Sequence, residues 1–231
     1  MGSGIAQAAA AAGKRVLLYE PDEGPLQRSR AALAEALERA VSRGRLERSQ
    51  ADATTERISY TTNIEDLAPA SALIEAVVED LGVKRELFAR LDAAAPDAAF
   101  LASNTSSIPI GELAAATTRP ERVLGVHFFS PVPVMKLVEI VVALETAPAT
   151  IASNCRRVFW GSLGHGWRKE VIWQSVRSKS PKTDFSQPEP RHPQQQPPVA
   201  KTRNVRLAVG AILIPHRNVP DSQPHQCRAK Q

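Results

Sequence analysis

Residues 72–102 read ALIEAVVEDLGVKRELFARLDAAAPDAAFLA, and their rhythm decides the fold class. Ala72-Leu73-Ile74-Glu75-Ala76-Val77 is a mostly apolar run of strand length. Val83 to Ala94 changes to helical spacing and turns Leu87, Phe88 and Leu91 to one side. Phe100-Leu101-Ala102 is a second short apolar run. Strand, helix and strand in immediate succession make a βαβ unit. Strands that are apolar throughout, not at every second residue, suit a parallel sheet covered on both faces.

The same alternation extends in both directions. Toward the N-terminus, Val16-Leu17-Leu18-Tyr19 is another buried strand, ending at Glu20-Pro21-Asp22. It follows a helix-forming stretch, residues 2–12, which Gly13 would stop as a C′ residue. An amphipathic helix from Pro25 to about Arg45 places Leu26, Leu33, Leu37 and Val41 on one side. A second helix, Ser49 to Arg57, takes Ser49 as its cap. Ile58 to Thr61 is a short strand. Downstream come a short helix from Pro109 to Ala116 and strands at Val123–Phe128 and Lys136–Val142. The predicted fold is α/β, a doubly wound parallel sheet of the nucleotide-binding type, over roughly residues 1–152.

In sheets of this type a glycine-rich turn leaves the first strand and opens the first helix. This chain starts at Met1-Gly2-Ser3-Gly4, already at the helix, so the expected sheet lacks its first strand. Gly2-Ser3-Gly4 reads either as the end of a G-x-G-x-x-G turn or as a plain flexible N-terminus.

Two polar groups lie at predicted strand ends. Gly125–Glu139, GVHFFSPVPVMKLVE, puts His127 at the end of one apolar run and Glu139 on the next. Ala102–Ser107 adds Ser103, Asn104, Thr105, Ser106 and Ser107 after another run. A histidine with a carboxylate and hydroxyls at strand ends is the material of general acid–base catalysis. Other readings stand beside this one. A lone histidine can be a hydrogen-bonded structural residue, and Glu139 can sit on an edge facing water. Ser106 can cap the helix near Pro109, and Glu79 and Lys84 can be solvated charges at a helix start.

Composition divides the chain near Ser153. The formal charge is +5, but 14 of the 29 Lys+Arg and only 4 of the 24 Asp+Glu follow residue 152, so the first part is net −5 and the remainder net +10. All three tryptophans, both cysteines (Cys155 and Cys227) and four of five histidines also lie in 153–231. Two distant cysteines make no disulfide framework, and they and the tail histidines lack metal-ligand spacing, so no metal site is expected. With no membrane-length apolar run and no signal-peptide pattern, the expected setting is soluble and cytoplasmic. Residues 181–198, PKTDFSQPEPRHPQQQPP, cannot be helix or strand interior and read as disordered. Asn204–Pro215, NVRLAVGAILIP, is the one apolar run of the tail able to form a strand, and it is a candidate for the empty central slot. Scattered basic and aromatic residues could meet nucleic acid, but the absence of any recognisable motif speaks against that partner.

MGSGIAQAAAAAGKRVLLYE, ALIEAVVEDLGVKRELFARLD, LASNTSSIPIGELA and RVLGVHFFSPVPVMKLVEIV together resemble the NAD-binding domain of the 3-hydroxyacyl-CoA dehydrogenase family. They cover most of residues 1–152 in family order and spacing. The resemblance implies NAD as cofactor and oxidation of an L-3-hydroxyacyl-CoA to the 3-ketoacyl-CoA. It implies that His127 takes the hydroxyl proton, that Glu139 fixes the imidazole, and that Ser106 bonds the substrate oxygen and helps place the nicotinamide. Glu20 matches the acidic residue on the adenosine ribose, Glu79 and Lys84 positions near the nicotinamide ribose, and Gly2 the end of the phosphate loop. Ser130 stands where the family commonly has Asn, a position from which serine can still donate to a thioester carbonyl.

Past Ala152 the resemblance stops. The family continues into a helical domain that completes the substrate pocket and carries homodimer contacts, and the tail does not resemble it. A shifted reading frame after residue 152 and a truncated start are the expectations this raises, with impaired activity. A non-catalytic remnant and a basic-tailed interaction protein are the alternative functions.

Overall fold

The computed structural model describes residues 1–135 and 137–154 together with three further strands at 168–173, 206–209 and 212–213. The elements run α1 (Gly2–Ala11), β1 (Val16–Tyr19), α2 (Glu23–Ser42), α3 (Arg48–Glu56), β2 (Ile58–Thr61), β3 (Ala70–Glu75), α4 (Leu81–Ala94), β4 (Leu101–Ser103), α5 (Ile110–Ala114), β5 (Val123–Phe128), β6 (Leu137–Val142), α6 (Pro148–Asn154), β7 (Arg168–Trp173), β8 (Arg206–Val209) and β9 (Ile212–Leu213).

Local chemistry sets the helix ends. Gly13 takes φ +80° just past α1. Its N–H bonds the Ala10 carbonyl at 2.9 Å and the Lys14 N–H bonds the Ala9 carbonyl at 3.0 Å, a Schellman closure that a β-carbon would strain. Helix α3 begins one residue earlier than expected, with Glu47 and not Ser49 at its cap. The Gln50 side chain accepts from the Glu47 N–H at 3.2 Å while the Glu47 side chain accepts in return, a reciprocal box that Ser49, inside the first turn, cannot make. Helix α4 also starts early, capped by the Asp80 carboxylate on the Val83 N–H at 2.9 Å.

The strands form one sheet in the order β2-β1-β8-β3-β4-β5-β6-β7, with β9 beside β8. Pairings from β2 through β5 are parallel. The crossover β1–α2–α3–β2 runs one way along the sheet and β3–α4–β4 the other. Right-handed crossovers in opposite directions put their helices on opposite faces. Accordingly α1, α2 and α3 pack together, and α4 packs with α5. Helices on both faces bury β3, β4 and β5 on both sides, and Leu73, Ile74, Phe88, Leu91, Phe100 and Leu101 form the centre of the core.

Strand β6 departs from the parallel pattern by running antiparallel to β5. Only residues 129–136 connect the two, too few for a crossover helix, so the chain can only turn back. Its buried and half-buried residues alternate, as on a strand covered from one face.

The slot that this strand order reserves for the strand ahead of α1 lies between β1 and β3. It is filled by β8, parallel to both, with Val16 beside Leu207 and Leu73 beside Ala208. Residues 206–209, from the apolar run 204–215, thus supply the central strand, as the composition of that run allowed. Strand β7, which no reading of the sequence anticipated, continues the sheet parallel to β6. The expectation of disorder over 181–198, and the placement of Lys136 in β6, fall outside the described residues.

Candidate active site

The carboxyl ends of β1, β3, β4 and β5 share one edge of the sheet, where ligands enter open α/β folds. His127 and Glu139 stand directly opposite each other across the β5–β6 pair. Their side chains therefore leave the same face at neighbouring points. His127 Nδ1 lies 2.7 Å from Glu139 Oε2. A carboxylate only accepts, so Nδ1 carries the proton of this bond, which fixes the orientation of the ring. The two side chains are 19% and 22% exposed, enough for a substrate to reach and dry enough to strengthen the bond. The imidazole also meets the Phe129 ring at 4.7 Å between centroids.

Beneath this pair the site depends on a missing side chain. A β-carbon on Gly125 would lie 2.7 Å from Val141 Cβ and 3.0 Å from Ile110 Cδ1. Gly125 faces Val141 in the same ladder, two residues from the His127–Glu139 pair. Glycine there lets Ile110 and Val141 approach each other in the wall of a cleft of about 130 Å³, which Thr105, Ser106, His127 and Glu139 also line.

Ser106 is exposed at this cleft, in the turn after β4. It does not cap α5, whose cap position is Pro109 with no side-chain bond. The turn is built by its neighbours. Thr105 Oγ1 accepts from Ser107 N at 3.2 Å and Ile108 N at 2.9 Å, and Asn104 Oδ1 accepts from Phe128 N at 2.9 Å. The last bond fastens the turn to β5 beside His127.

Glu79 and Lys84 belong to a network behind that turn. Lys84 is 1% exposed; its Nζ donates to Glu75 Oε1 at 2.6 Å and meets Glu79 Oε2 at 3.2 Å. The reading of Lys84 as a solvated charge therefore falls. Glu79, 43% exposed, also accepts from Thr105 Oγ1 and, at 2.9 Å, from Ser107 Oγ. Partial burial works to raise its carboxyl, but the bonds from Thr105, Ser107 and Lys84 outweigh it and hold the group at about 2.

Glu20 stands apart from the His127 pair, following β1. It lines a second cleft of about 160 Å³ with Tyr19, Val77, Val83 and Leu87. Burial pushes its carboxyl up, with Arg28 pulling down and Asp22 adding a smaller push. A half-buried carboxylate beside apolar walls suits a ring system carrying paired hydroxyls. Gly2 opens α1, whose first turn reaches the β5–β6 loop: a β-carbon on Gly4 would lie 3.2 Å from Val132 Cβ. Ser130 is exposed in that loop, before the cis Ser130–Pro131 bond.

The structure thus joins His127, Glu139 and Ser106 at one cleft and links Glu79 to Lys84 behind it. Glu20, Gly2 and Ser130 lie at other points of the same edge. Sequence reasoning singled out the polar run 102–107 but gave a role only to Ser106, and it passed over Glu75. The available signal was the single carboxylate inside the apolar run 72–77, which needs a buried partner. Among the described residues no group of His, Cys, Asp and Glu is placed to hold a metal, and no helix is long and apolar enough to cross a membrane.

The sequence profile of the family described as "3-hydroxyacyl-CoA dehydrogenase, NAD binding domain" matches residues 1–159. The chain is 50% identical over 153 residues to a 3-hydroxybutyryl-CoA dehydrogenase of Mycobacterium tuberculosis, covering 66% of this chain and 54% of that protein. It is 43% identical over 162 residues to the 3-hydroxyadipyl-CoA dehydrogenase of Escherichia coli, covering 70% and 34%. The crystal structure of M. tuberculosis FadB2 superposes with a TM-score of 0.68 at 45% identity, over 77% of this chain and 61% of that one. That of (S)-3-hydroxybutyryl-CoA dehydrogenase PaaH1 from Ralstonia eutropha gives 0.71 at 34% identity, over 76% and 60%. The chain spans about half the length of the first two bacterial 3-hydroxybutyryl-CoA dehydrogenases it matches. On the profile match and these identities, the chain belongs to the 3-hydroxyacyl-CoA dehydrogenase family, through its NAD-binding domain.

Proposed function

We propose that the cleft at His127 serves NAD-dependent oxidation of an L-3-hydroxyacyl-CoA to its 3-ketoacyl-CoA, within an NAD-binding domain spanning residues 1–152. The observation that carries this reading is the 2.7 Å bond from His127 Nδ1 to Glu139. With Nδ1 engaged by Glu139, Nε2 is the nitrogen of the neutral imidazole that can take a proton, on a residue that lines the cleft.

The cofactor site is consistent with NAD. Glu20 would accept from the adenosine ribose hydroxyls, the amides opening α1 at Gly2 lie at the carboxyl edge for the pyrophosphate, and Glu79 and Lys84 lie behind the Ser106 turn for the nicotinamide ribose. NAD, when bound, supplies the hydride acceptor for C3 of the substrate. His127 Nε2 takes the proton of the C3 hydroxyl as the alcohol becomes a ketone. Glu139 holds the tautomer that makes this possible and stabilises the imidazolium that forms. Ser106 donates to the substrate oxygen, and Ser130 is within the loop for the thioester carbonyl. We place this chemistry in the cytoplasm, with acyl-CoA as the substrate class.

The test follows NADH with purified full-length protein, using acetoacetyl-CoA in one direction and 3-hydroxybutyryl-CoA in the other. Turnover by wild type that disappears in His127→Ala supports the assignment. A folded protein that neither turns over these substrates nor binds NADH removes it and leaves the non-catalytic remnant.

A further inference from the structure

Glu75 is a charged group with no role in the chemistry above, yet its side chain is 0% exposed. It ends β3 and is fully engaged. Oε1 accepts from Lys84 Nζ at 2.6 Å and from Val77 N at 2.7 Å, and Oε2 accepts from Ser103 Oγ at 2.6 Å. Buried ion pairs seldom stabilise a fold more than a well-packed apolar pair of the same volume. Stability therefore gives this position little reason to carry a charge.

Geometry gives it one. Two lines of hydrogen bonds leave Glu75, one reaching the Ser106 turn and the other reaching that turn and β5 beside His127. The first passes through Lys84 to Glu79, which holds Thr105 Oγ1 and Ser107 Oγ. Those two residues flank Ser106 and grip it from both sides. The second runs through Ser103, whose Oγ accepts from Thr105 N at 3.2 Å, and through the Glu75 carbonyl, which accepts from Asn104 N at 2.8 Å. Asn104 Oδ1 in turn takes the Phe128 N–H, one residue from His127.

We propose that Glu75 is a positioning residue that sets Ser106 against His127, acting through Lys84 and Glu79 on one side and Ser103 and Asn104 on the other. The proposal rests on the dehydrogenase reading of the cleft. Replacing the carboxylate by an amide keeps the size but weakens the Lys84 contact, so the turn loosens while the fold stays.

Two measurements on the full chain test it. Amide hydrogen exchange reads the turn directly: Glu75→Gln should speed exchange at Thr105, Ser107 and Ile108 about tenfold or more, leaving β1 and β2 unchanged. Kinetics with acetoacetyl-CoA and NADH read its consequence: Glu75→Gln should lower kcat about tenfold to a hundredfold. In a Ser106→Ala background the same change should cost no more than about twofold, because the group being positioned is gone. The charge-balanced Glu75→Gln/Lys84→Met variant should recover the melting temperature without recovering exchange protection. Unchanged exchange at 105–108, equal acceleration at every amide, or additive losses in the Ser106→Ala background would each overturn the proposal. A wild type with the expected exchange pattern but no turnover upholds the hold on the turn and removes the dehydrogenase reading alone.

Discussion

The two edges of the sheet are built from the same chemical parts and do different work. At the carboxyl edge, Thr105, Ser106, His127 and Glu139 line a cleft, with Lys84 and Glu79 paired behind it. At the opposite edge, Asp92, Arg119 and Thr118 surround nothing. The Asp92 carboxylate accepts from Thr118 N at 2.7 Å, Thr118 Oγ1 at 2.6 Å and Arg119 Nε at 2.7 Å. Arg119 also donates to the carbonyls of Asp92, Ala95 and Pro96 and so closes the end of α4. That cluster is saturated, whereas the His127 pair engages only Nδ1 of the ring and lines an open cleft. A polar cluster becomes a reaction site when one member keeps an unused valence where a substrate can reach it.

Substitutions can break this contrast. The largest effect is expected from His127→Ala, which should lower turnover about 10²- to 10⁴-fold. Its melting temperature should fall less than that of an Asp92→Ala variant, because Glu139, 22% exposed, can turn to water when the imidazole is removed. Asp92→Ala should do the reverse. It strips Arg119 of its carboxylate at a site that is 15% exposed, at a cost of about 3 kcal/mol. In a chain of this size that lowers the melting temperature by roughly 6–12 °C, with kcat unchanged. A loss of turnover in that variant, measured where it is still folded, would show that the two edges are coupled.

Gly125→Ala should disturb stability and chemistry together. Its new methyl meets Val141 and Ile110 under the catalytic pair, an overpacking cost of about 1–3 kcal/mol, and Glu139 shifts with its strand. A thermal melt and a turnover assay on the same preparation check both halves.

The smallest effect is with pH. Partial burial works against both Asp92 and Glu79, yet hydrogen bonds from Thr118 and Arg119 lower the first and bonds from Thr105, Ser107 and Lys84 the second. Both carboxyls thus sit below their unfolded values. Their contribution is complete at neutral pH and fades as pH falls through the ordinary carboxylate range toward the folded values, about 2 for Glu79. Melting temperature should decline below about pH 4.5, and Asp92→Asn, lower throughout, should decline less steeply. Parallel curves would show that Asp92 contributes no acid sensitivity.

Much of this was legible in the sequence, and the exceptions share a cause. The change from short apolar runs to the helical spacing of Leu87, Phe88 and Leu91 is local, so β3–α4–β4 could be read directly. The His127–Glu139 pairing was also readable, because a carboxylate on an apolar strand needs a partner and the loop between them is short. Glu75 escaped notice because its side-chain partners Lys84 and Ser103 come from α4 and β4, and only the folded sheet assembles them. The cap of α3 went to Glu47 since its reciprocal bond with Gln50 outweighs the intrinsic preference for serine. The apolar run 204–215 could be matched to the central slot by its composition. The partnership of β7 with β6 has no local signature at all.

The register of β5 against β6 has a consequence for how this site tolerates change in length. His127 and Glu139 meet because they are cross-strand partners, and an insertion or deletion inside either strand by one residue would send one of them to the far face of the sheet. Length changes between residues 129 and 136 would leave the pair facing each other. The site is therefore protected against indels on one side of a sharp boundary and exposed to them on the other. Variation in this chain should accumulate length differences in the loop long before it accumulates any in the strands.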